Sequence, residues 1–502
     1  MRGLAALLGA LAGAAIGVRS LMAWGFDVLP VALWTDLLVW LLVAIAIAYF
    51  WYVRHQAHLL APWRRVLRSA PGMAALVVLA AFVAIGLADS IHFRLPLEGK
   101  SADGRRVYAV EVLSLLDVLV APLRTRPERT YSAPLATRAY QRETVELPDG
   151  KVAREFPRLR YGGAHLANEA DRDRDVLVTA LQGAALGFAV WWVMVSAVTG
   201  VVARRRGGPF GATWRALRRG ETEIPWLAIY LAALGLLLAV FIVAPLAAKY
   251  HVLGTDKVGQ DVLYLSLKSI RTGLVIGTVT TLVMLPFAIL LGIAAGYFKG
   301  WVDDVVQYVY TTLNSIPSVL LIAAAVLMMQ VYVDTHPELF PTAAERADLR
   351  LLFLCLILGV TSWTGLARVL RGEALKLSEL DYIQAAHAFG VRGARVVTRH
   401  ILPNVMHIVL IALVMDFSVL VLAEAVLSYI GVGVDPSTTS FGTMINAARL
   451  EMAREPMVWW ALAAAFAFMF ALVLAANLFA DAVRDAFDPR IAVGTRPVGA
   501  AA

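Results

Sequence analysis

Apolar stretches alternate with short polar ones along nearly the whole chain. Ten runs, at 3–18, 31–53, 72–90, 176–202, 226–248, 271–296, 303–330, 350–370, 405–430 and 457–483, are long and greasy enough for membrane spans. About 20 apolar residues in a helix cross a hydrocarbon core ~30 Å thick. A helix is the expected form, because it satisfies its own backbone hydrogen bonds where water is absent. The pattern therefore predicts an all-α polytopic membrane protein. The first run also fits a signal-peptide core; we read it as a retained span, since no small-x-small cleavage site leads into a polar mature start.

One long polar segment, about 91–175, interrupts the series. Turn signals stand at Pro148-Asp-Gly150 and Tyr161-Gly-Gly163. Mostly apolar runs at Val107–Leu113 and Leu115–Val120, each broken by one acid, predict a small folded unit. The chain divides near residue 205. Residues 1–205 form an N-terminal extension of four spans plus this segment, 206–490 a six-span core, and 491–502 a flexible tail. No fixed-period repeat occurs.

A second polar stretch falls between two spans of the core. It reads Ser378-Glu-Leu-Asp-Tyr-Ile-Gln-Ala-Ala-His-Ala-Phe-Gly390 and is followed by His400-Ile-Leu-Pro-Asn404. The pattern predicts a short helix with marked ends. Ser378 caps its start, Asp381 returns the bond, and Gly390 stops it by taking the left-handed conformation. Pro403 suits the first turn of the next helix, where its missing N–H is not needed. Ala385, Ala386 and Ala388 offer a small-residue surface, and Tyr382 and Phe389 offer anchors, to a docking partner.

Charge fixes the sidedness. Hydrophobic residues make up 60% of the 502, and the formal charge is +8. The positive charge collects in three loops: Arg54 to Arg68, Arg204 to Arg219, and Arg368 to Arg399. With ten spans these loops share one side, which the positive-inside rule makes the cytoplasm. Segment 91–175 then lies outside. The basic excess reflects membrane orientation, and no basic stripe interleaved with aromatics points to nucleic acid. The single Cys355 lies in an apolar run and reads as packing.

Chemistry is sparse. No Gly-x-x-x-x-Gly-Lys-Ser/Thr loop occurs to cradle ATP phosphates, no Cys/His cluster has zinc spacing, and no nucleophile elbow is present. Within the spans, Asp416 and Glu424 stand eight residues apart on roughly one helix face. Each reads either as a pathway lining that meets a substrate's positive end or as a packed, hydrogen-bonded carboxylate. The packed reading leads for Glu424. Asn314, Ser315 and Pro317 interrupt the run 303–330, as a pathway kink or as an ordinary membrane-helix proline. His387, His400 and His407 read as interfacial and not as metal ligands.

Three further motifs carry a resemblance: His251-Val-Leu-Gly-Thr-Asp-Lys-Val-Gly-Gln-Asp261, Gly296-Tyr-Phe-Lys-Gly-Trp-Val-Asp303, and Asp481-Ala-Val-Arg-Asp-Ala-Phe-Asp-Pro-Arg490. With the polar stretch, they resemble the permease subunits of ATP-driven peptide importers, of the dipeptide/oligopeptide C type, over about residues 210–490. That family's inner-loop pattern, Glu-Ala-Ala-x-x-x-Gly followed after nine residues by Ile-x-Leu-Pro, maps onto Gln384, Ala385, Ala386, Gly390, His400, Leu402 and Pro403. Gln384 stands for the family's Glu, His400 for its Ile, and Gln260 for the Arg of Gly-Arg-Asp.

The resemblance implies a type I ABC importer core of six helices, whose short helix docks in a cleft of a cytoplasmic ATPase. It implies a transport subunit that is not itself an enzyme and binds no cofactor, ATP being hydrolysed by partners. Those partners are a second permease subunit, two ATPases and an extracytoplasmic solute-binding protein. The setting is the inner membrane, with membrane lipid around the spans and both termini cytoplasmic. Peptides lead as cargo; nickel complexes and other small solutes stay open. A secondary transporter driven by an ion gradient is the main rival. It predicts two symmetric halves, and the sequence has no such symmetry. Segment 91–175 is a candidate docking site for the binding protein.

Overall fold

The protein's structure is a computed structural model that describes residues 28–100, 106–146, 152–336, 338 and 342–487. The run 3–18, the turn signal Pro148-Asp-Gly150 and the tail 491–502 lie outside the described residues. The other nine apolar runs each overlap a helix long and apolar enough to cross a membrane, the run 303–330 only in its second half.

In chain order, strand β1 (Leu29–Val31) leads into α1 (Trp34–Arg54), the short α2 (Ala57–Arg68) and α3 (Ala70–Asp89). The polar segment follows. It holds β2 (His92–Arg94), β3 (Pro96–Lys100), β4 (Arg106–Tyr108), β5 (Leu113–Ser114), α4 (Leu115–Leu119), α5 (Ala121–Arg124), β6 (Glu143–Glu146) and β7 (Val152–Glu155). Then come α6 (Arg172–Arg206), the short α7 (Phe210–Arg219), α8 (Trp226–Ala247) and α9 (Val262–Phe298). The run 303–330 is not one span. It breaks into α10 (Gly300–Ser315) and α11 (Ser318–Thr335). Ile316 is extended (φ −92°, ψ 130°) because the residue before a proline is pushed out of the helical region, and Pro317 caps α11.

The remaining helices are α12 (Ala343–Ser362), α13 (Thr364–Ser378), α14 (Asp381–Ala388), α15 (Gly393–Val396), α16 (Leu402–Ile430), α17 (Phe441–Glu451) and α18 (Trp460–Phe487). Long α9 is the mast of the bundle, packed against α13, α12, α16 and α3. Its approach to α13 is close because a Cβ at Gly296 would lie 2.5 Å from the Arg371 carbonyl oxygen.

The loops sort to two ends of the bundle, as the charge pattern predicted. At one end the polar segment meets the loops before α9 and α18. Glu128 N–H donates to the Gly259 carbonyl (2.9 Å), Tyr140 Oη to Met457 O (3.0 Å) and Trp460 Nε1 to Thr255 O (2.9 Å). At the opposite, basic end Arg68 pairs with Glu223 (2.7 Å) and Lys299 with Glu379 (2.6 Å).

Among the described residues the polar segment, with β1 added from before α1, forms three small antiparallel sheets: β1–β2–β5, β3–β4 and β6–β7. Its acid Asp117 closes a capping box with Ser114 at the start of α4 and accepts from Tyr264 Oη of α9 (2.8 Å). The joint to the core centres on buried His251. Its Nδ1 lies 2.7 Å from Asp261 Oδ2, while Nε2 faces Glu128 Oε1 at 3.5 Å, an electrostatic contact too long for a hydrogen bond. Burial alone lowers the imidazole's pKa, but the two carboxylates outweigh it and hold it at about 9. Burial likewise raises Glu128, yet His251 and the N–H groups of Tyr161, Arg160 and Gly162 bring its carboxyl down to about 2. Gly259 is needed here. Its φ is +78°, and a Cβ would sit 1.9 Å from the Glu128 carbonyl oxygen.

Buried ion pairs also tie the N-terminal helices to the core. Arg271 of α9 bonds Asp36 of α1 (2.6 Å), and Lys268 of α9 bonds Asp89 of α3 (2.6 Å) and Asp117 (3.2 Å).

Candidate coupling helix and pathway

Helix α14 lies at the basic end, where the polar stretch predicted it, but its ends are built differently. Ser378 is the last residue of α13, and its hydroxyl donates to the Leu375 carbonyl (2.7 Å). Leu380, at the cap position before α14, supplies no side-chain cap, so the expected Ser378–Asp381 capping box is absent. The apolar periodicity of α13 carries it through Leu377 and so takes Ser378 into its own last turn. Asp381 instead stands exposed in the first turn of α14, favourable to the helix dipole. The other end follows expectation: Gly390 adopts φ +74° in open space.

Eight residues do not hold a helix alone in water; packing holds this one. Ile383 is fully buried in a cluster with Tyr297, Leu370, Ala374, Val396, Ile401 and Val405, and Ala386 packs at its edge. The presumed alanine surface is therefore divided: Ala385 and Ala388 face out, Ala386 faces the core. His387 stacks on Tyr297 (centroids 5.6 Å apart), with Nε2 3.0 Å from Tyr297 Oη. Gln384 donates to Glu379 (3.4 Å), an acid two residues upstream of the helix. Tyr382 is half exposed and accepts from Asn404 Nδ2 (3.2 Å). Phe389 is 86% exposed. The helix is rooted on one face and bare on the other.

Pro403 occupies the second position of α16, and Leu402, beside it, packs against the same cluster. The helix does not begin in free solvent there. Helix α15 and a π-helical turn, Val397–Ile401, run directly into it. The wider turn moves away the carbonyl that the proline ring would strike in an unbroken α-helix. Asn404 Nδ2 meets the His400 carbonyl at 2.7 Å. The ring of His400 lies 6.0 Å from that of Tyr382, and His407 Nδ1 lies 2.8 Å from Asn404 O. Residues that sequence reasoning passed over complete the mount. Asp303 takes both Nε and Nη2 of Arg371 (2.5 and 2.6 Å), fixing α10 to α13. Asp303 and Tyr297 both stood in the Gly296–Asp303 motif; Ile383 was signalled only by its spacing of three from Ala386.

The candidate pathway residues do not form one site. Asp416 is the midpoint of the 29-residue α16. It lines an open cavity of 410 Å³ with Met284, Ser362, Leu366, Ile408 and Met415, and among the described residues its carboxylate has no hydrogen-bond partner. Glu424 is instead buried and accepts from Ser428 (2.6 Å) and Ser440 (2.8 Å). Eight residues turn a helix about 80° beyond two full turns, which parts the two acids. Asn314 is exposed at the end of α10 and accepts from Thr364 Oγ1 (3.2 Å); Pro317 lies at the break. Cys355 is fully buried among apolar neighbours.

The structure is thus a bundle of membrane-length helices with a short helix, buried on one face and bare on the other, at its basic end. Residues 288–493 match the binding-protein-dependent transport system inner membrane component family. The oligopeptide transport system permease protein OppC of Mycobacterium tuberculosis is 30% identical over 239 residues, 48% of this chain and 76% of that protein. The glutathione transport system permease protein GsiD of Pectobacterium atrosepticum is 31% identical (48% and 73%), and the dipeptide transport system permease protein DppC of Lactococcus lactis 28% (48% and 64%). The chain belongs to this family of inner-membrane permeases and is a multi-pass transport subunit, which displaces the ion-gradient rival.

Proposed function

We propose that this permease carries peptides or peptide-like solutes inward and that α14 is the element an ATPase subunit moves. The observation that carries the reading is the two-faced mounting of α14, with Ile383 fully buried and Phe389 86% exposed. A partner that holds Phe389, Tyr382 and Ala385 pulls, through Ile383, on the cluster where α9, α13 and α16 meet. ATP then biases the spans between two states only by its different affinity for them. The positive-inside rule makes the basic end cytoplasmic, together with both termini.

Two ATPases then act from that end, ATP being bound by them and not by this chain. A solute-binding protein delivers from the other end, where segment 91–175 offers a docking surface. A second permease subunit completes the pathway beside the open Asp416 cavity. Residues 1–205 serve as an extension of a core at 206–490. Peptide cargo is supported by the named substrates of the relatives, which are oligopeptides, dipeptides and glutathione.

The test is peptide uptake by vesicles that carry the full transporter. Uptake is expected to require ATP and the ATPase subunits, and Phe389→Ala to lower it without changing the amount of permease in the membrane. Uptake that persists without the ATPases overturns the reading.

A further inference from the structure

Two short helices at the basic end belong to neither the spans nor the coupling machinery. Helices α2, of 12 residues, and α7, of 10, are about 18 and 15 Å long, too short to cross a bilayer. Each is amphipathic, with part of its apolar face packed on this chain and Leu67 and Phe210 left exposed. In α2, Val66 is buried against Ala482, Val483 and Ala486 of α18, and the Trp63 ring lies 5.4 Å from Phe487. In α7, Leu217 and Thr213 are buried, and Trp214 stacks on Tyr230 of α8 (6.5 Å). The opposite faces are bare and basic: Arg64, Arg65, Arg215, Arg218 and Arg219 are all exposed.

The charge is one-sided. Residues 54–69 and 204–223 together hold ten arginines and two acids, an excess equal to the formal charge of the whole protein. Arg68 pairs with Glu223 (2.7 Å) and so links the two segments, while Arg219 reaches Glu221 at 3.9 Å. The other eight arginines meet no carboxylate among the described residues. Spans α1 and α6 end at Arg54 and Arg206, so the helices begin within a few residues of the membrane boundary.

We propose that α2 and α7 form a binding surface for anionic phospholipid headgroups of the adjacent leaflet. An interfacial helix with arginines on its free face is attracted to an anionic bilayer surface. The guanidinium fork matches phosphate oxygens two at a time. The position of both helices directly after spans α1 and α6 favours the adjacent bilayer surface as the occupant. The surface anchors the extension and does not depend on the cargo or on α14.

The test uses the purified full chain in nonionic detergent, titrated with short-chain phosphatidylglycerol or with phosphatidylcholine of equal chain length. Tryptophan fluorescence and native mass spectrometry report binding. Phosphatidylglycerol is expected to bind more tightly, with a preference that falls as salt rises. Each arginine neutralised to glutamine is expected to weaken it about fivefold, the equivalent of ~1 kcal/mol per basic residue near such a surface. Replacing Arg64, Arg65, Arg215, Arg218 and Arg219 together by Gln removes the preference, whereas replacing them by Lys retains most of it. The Lys variant and the salt series keep the test decisive if the Gln variant fails to fold. Equal binding of the two lipids, or an unchanged preference in a folded Gln variant, overturns the proposal and leaves the face to an acidic protein partner.

Discussion

Ile383→Ala isolates the root of α14 from its bare face. The side chain is fully buried, and the substitution removes three carbon groups. At ~0.8 kcal/mol each, the transfer loss is about 2.4 kcal/mol; a residual cavity brings Ile-to-Ala costs to about 2–5 kcal/mol. An eight-residue helix has no stability of its own to absorb this. What remains is the packing of Ala386 at the cluster's edge, the His387–Tyr297 contact, the Asn404–Tyr382 bond and, just upstream, the exposed Lys299–Glu379 pair, the last worth ~1 kcal/mol at most. We therefore expect residues 381–388 to detach locally while the described spans stay packed. Hydrogen exchange in the assembled transporter should show about 30-fold or greater loss of protection there, the factor for ~2 kcal/mol, and unchanged protection in α9. ATP-driven uptake should fall with it. Phe389→Ala is the control, since it should weaken uptake with the amides still protected. Normal protection and normal uptake in Ile383→Ala would refute the rooted-lever account.

Three further expectations follow from other joints. His251 is raised from its ordinary 6.5 to about 9 and Glu128 lowered from 4.5 to about 2. The raised base stabilises fully below 6.5 and loses its contribution as pH climbs through 9, whereas the lowered acid loses its own only as pH falls through 2. The insert should thus hold tightest near pH 4.5–6.5 and loosen toward pH 9 by on the order of 3 kcal/mol. Limited proteolysis of the insert across that range checks this, and His251→Gln should flatten the profile. Gly259→Ala should release the same joint by more than ~2 kcal/mol, from left-handed strain plus the clash with Glu128, and lower the Tm of the insert before that of the bundle. Asp416→Asn keeps shape and removes charge. Its uptake should fall most for peptides with a free N-terminal ammonium and least for N-acetylated ones; equal loss for both would assign Asp416 to packing.

The spans were legible because hydrocarbon leaves the backbone one local solution, and local solutions are written in consecutive residues. The gathering of the basic loops at one end of the bundle was legible for a similar reason, since arginines accumulate loop by loop. Other features depend on partners far along the chain. Lys268 and Arg271 stand at the edge of an apolar run, and nothing nearby announces that their acids lie about 150 to 235 residues upstream. The cap at Ser378 failed because two helices competed for one serine and the longer α13 took it. The π turn before Pro403 follows from continuity between α15 and α16, which periodicity alone does not establish. Asp416 and Glu424 were paired by spacing, but an 80° offset on one helix sends one to a cavity and the other to two serines.

The buried ion pairs constrain how the bundle can move. Breaking one partner away from a buried charge pair costs about 3–5 kcal/mol. Arg271 with Asp36 and Lys268 with Asp89 fasten α1 and α3 to α9 at the insert end, and Val66 fastens α2 to α18 at the basic end. Sliding α1 along α9 would break the first pair and sliding α3 the second, each at a cost above the 1–3 kcal/mol by which coupled sites commonly bias each other. The N-terminal helices must therefore travel with α9 as one body through the transport cycle. Motion is left to contacts without such pairs, foremost the open side of α16 that carries Asp416. The lever proposed in α14 is rooted where α9, α13 and α16 meet, so a pull on it would act where that body ends and the freer surface begins.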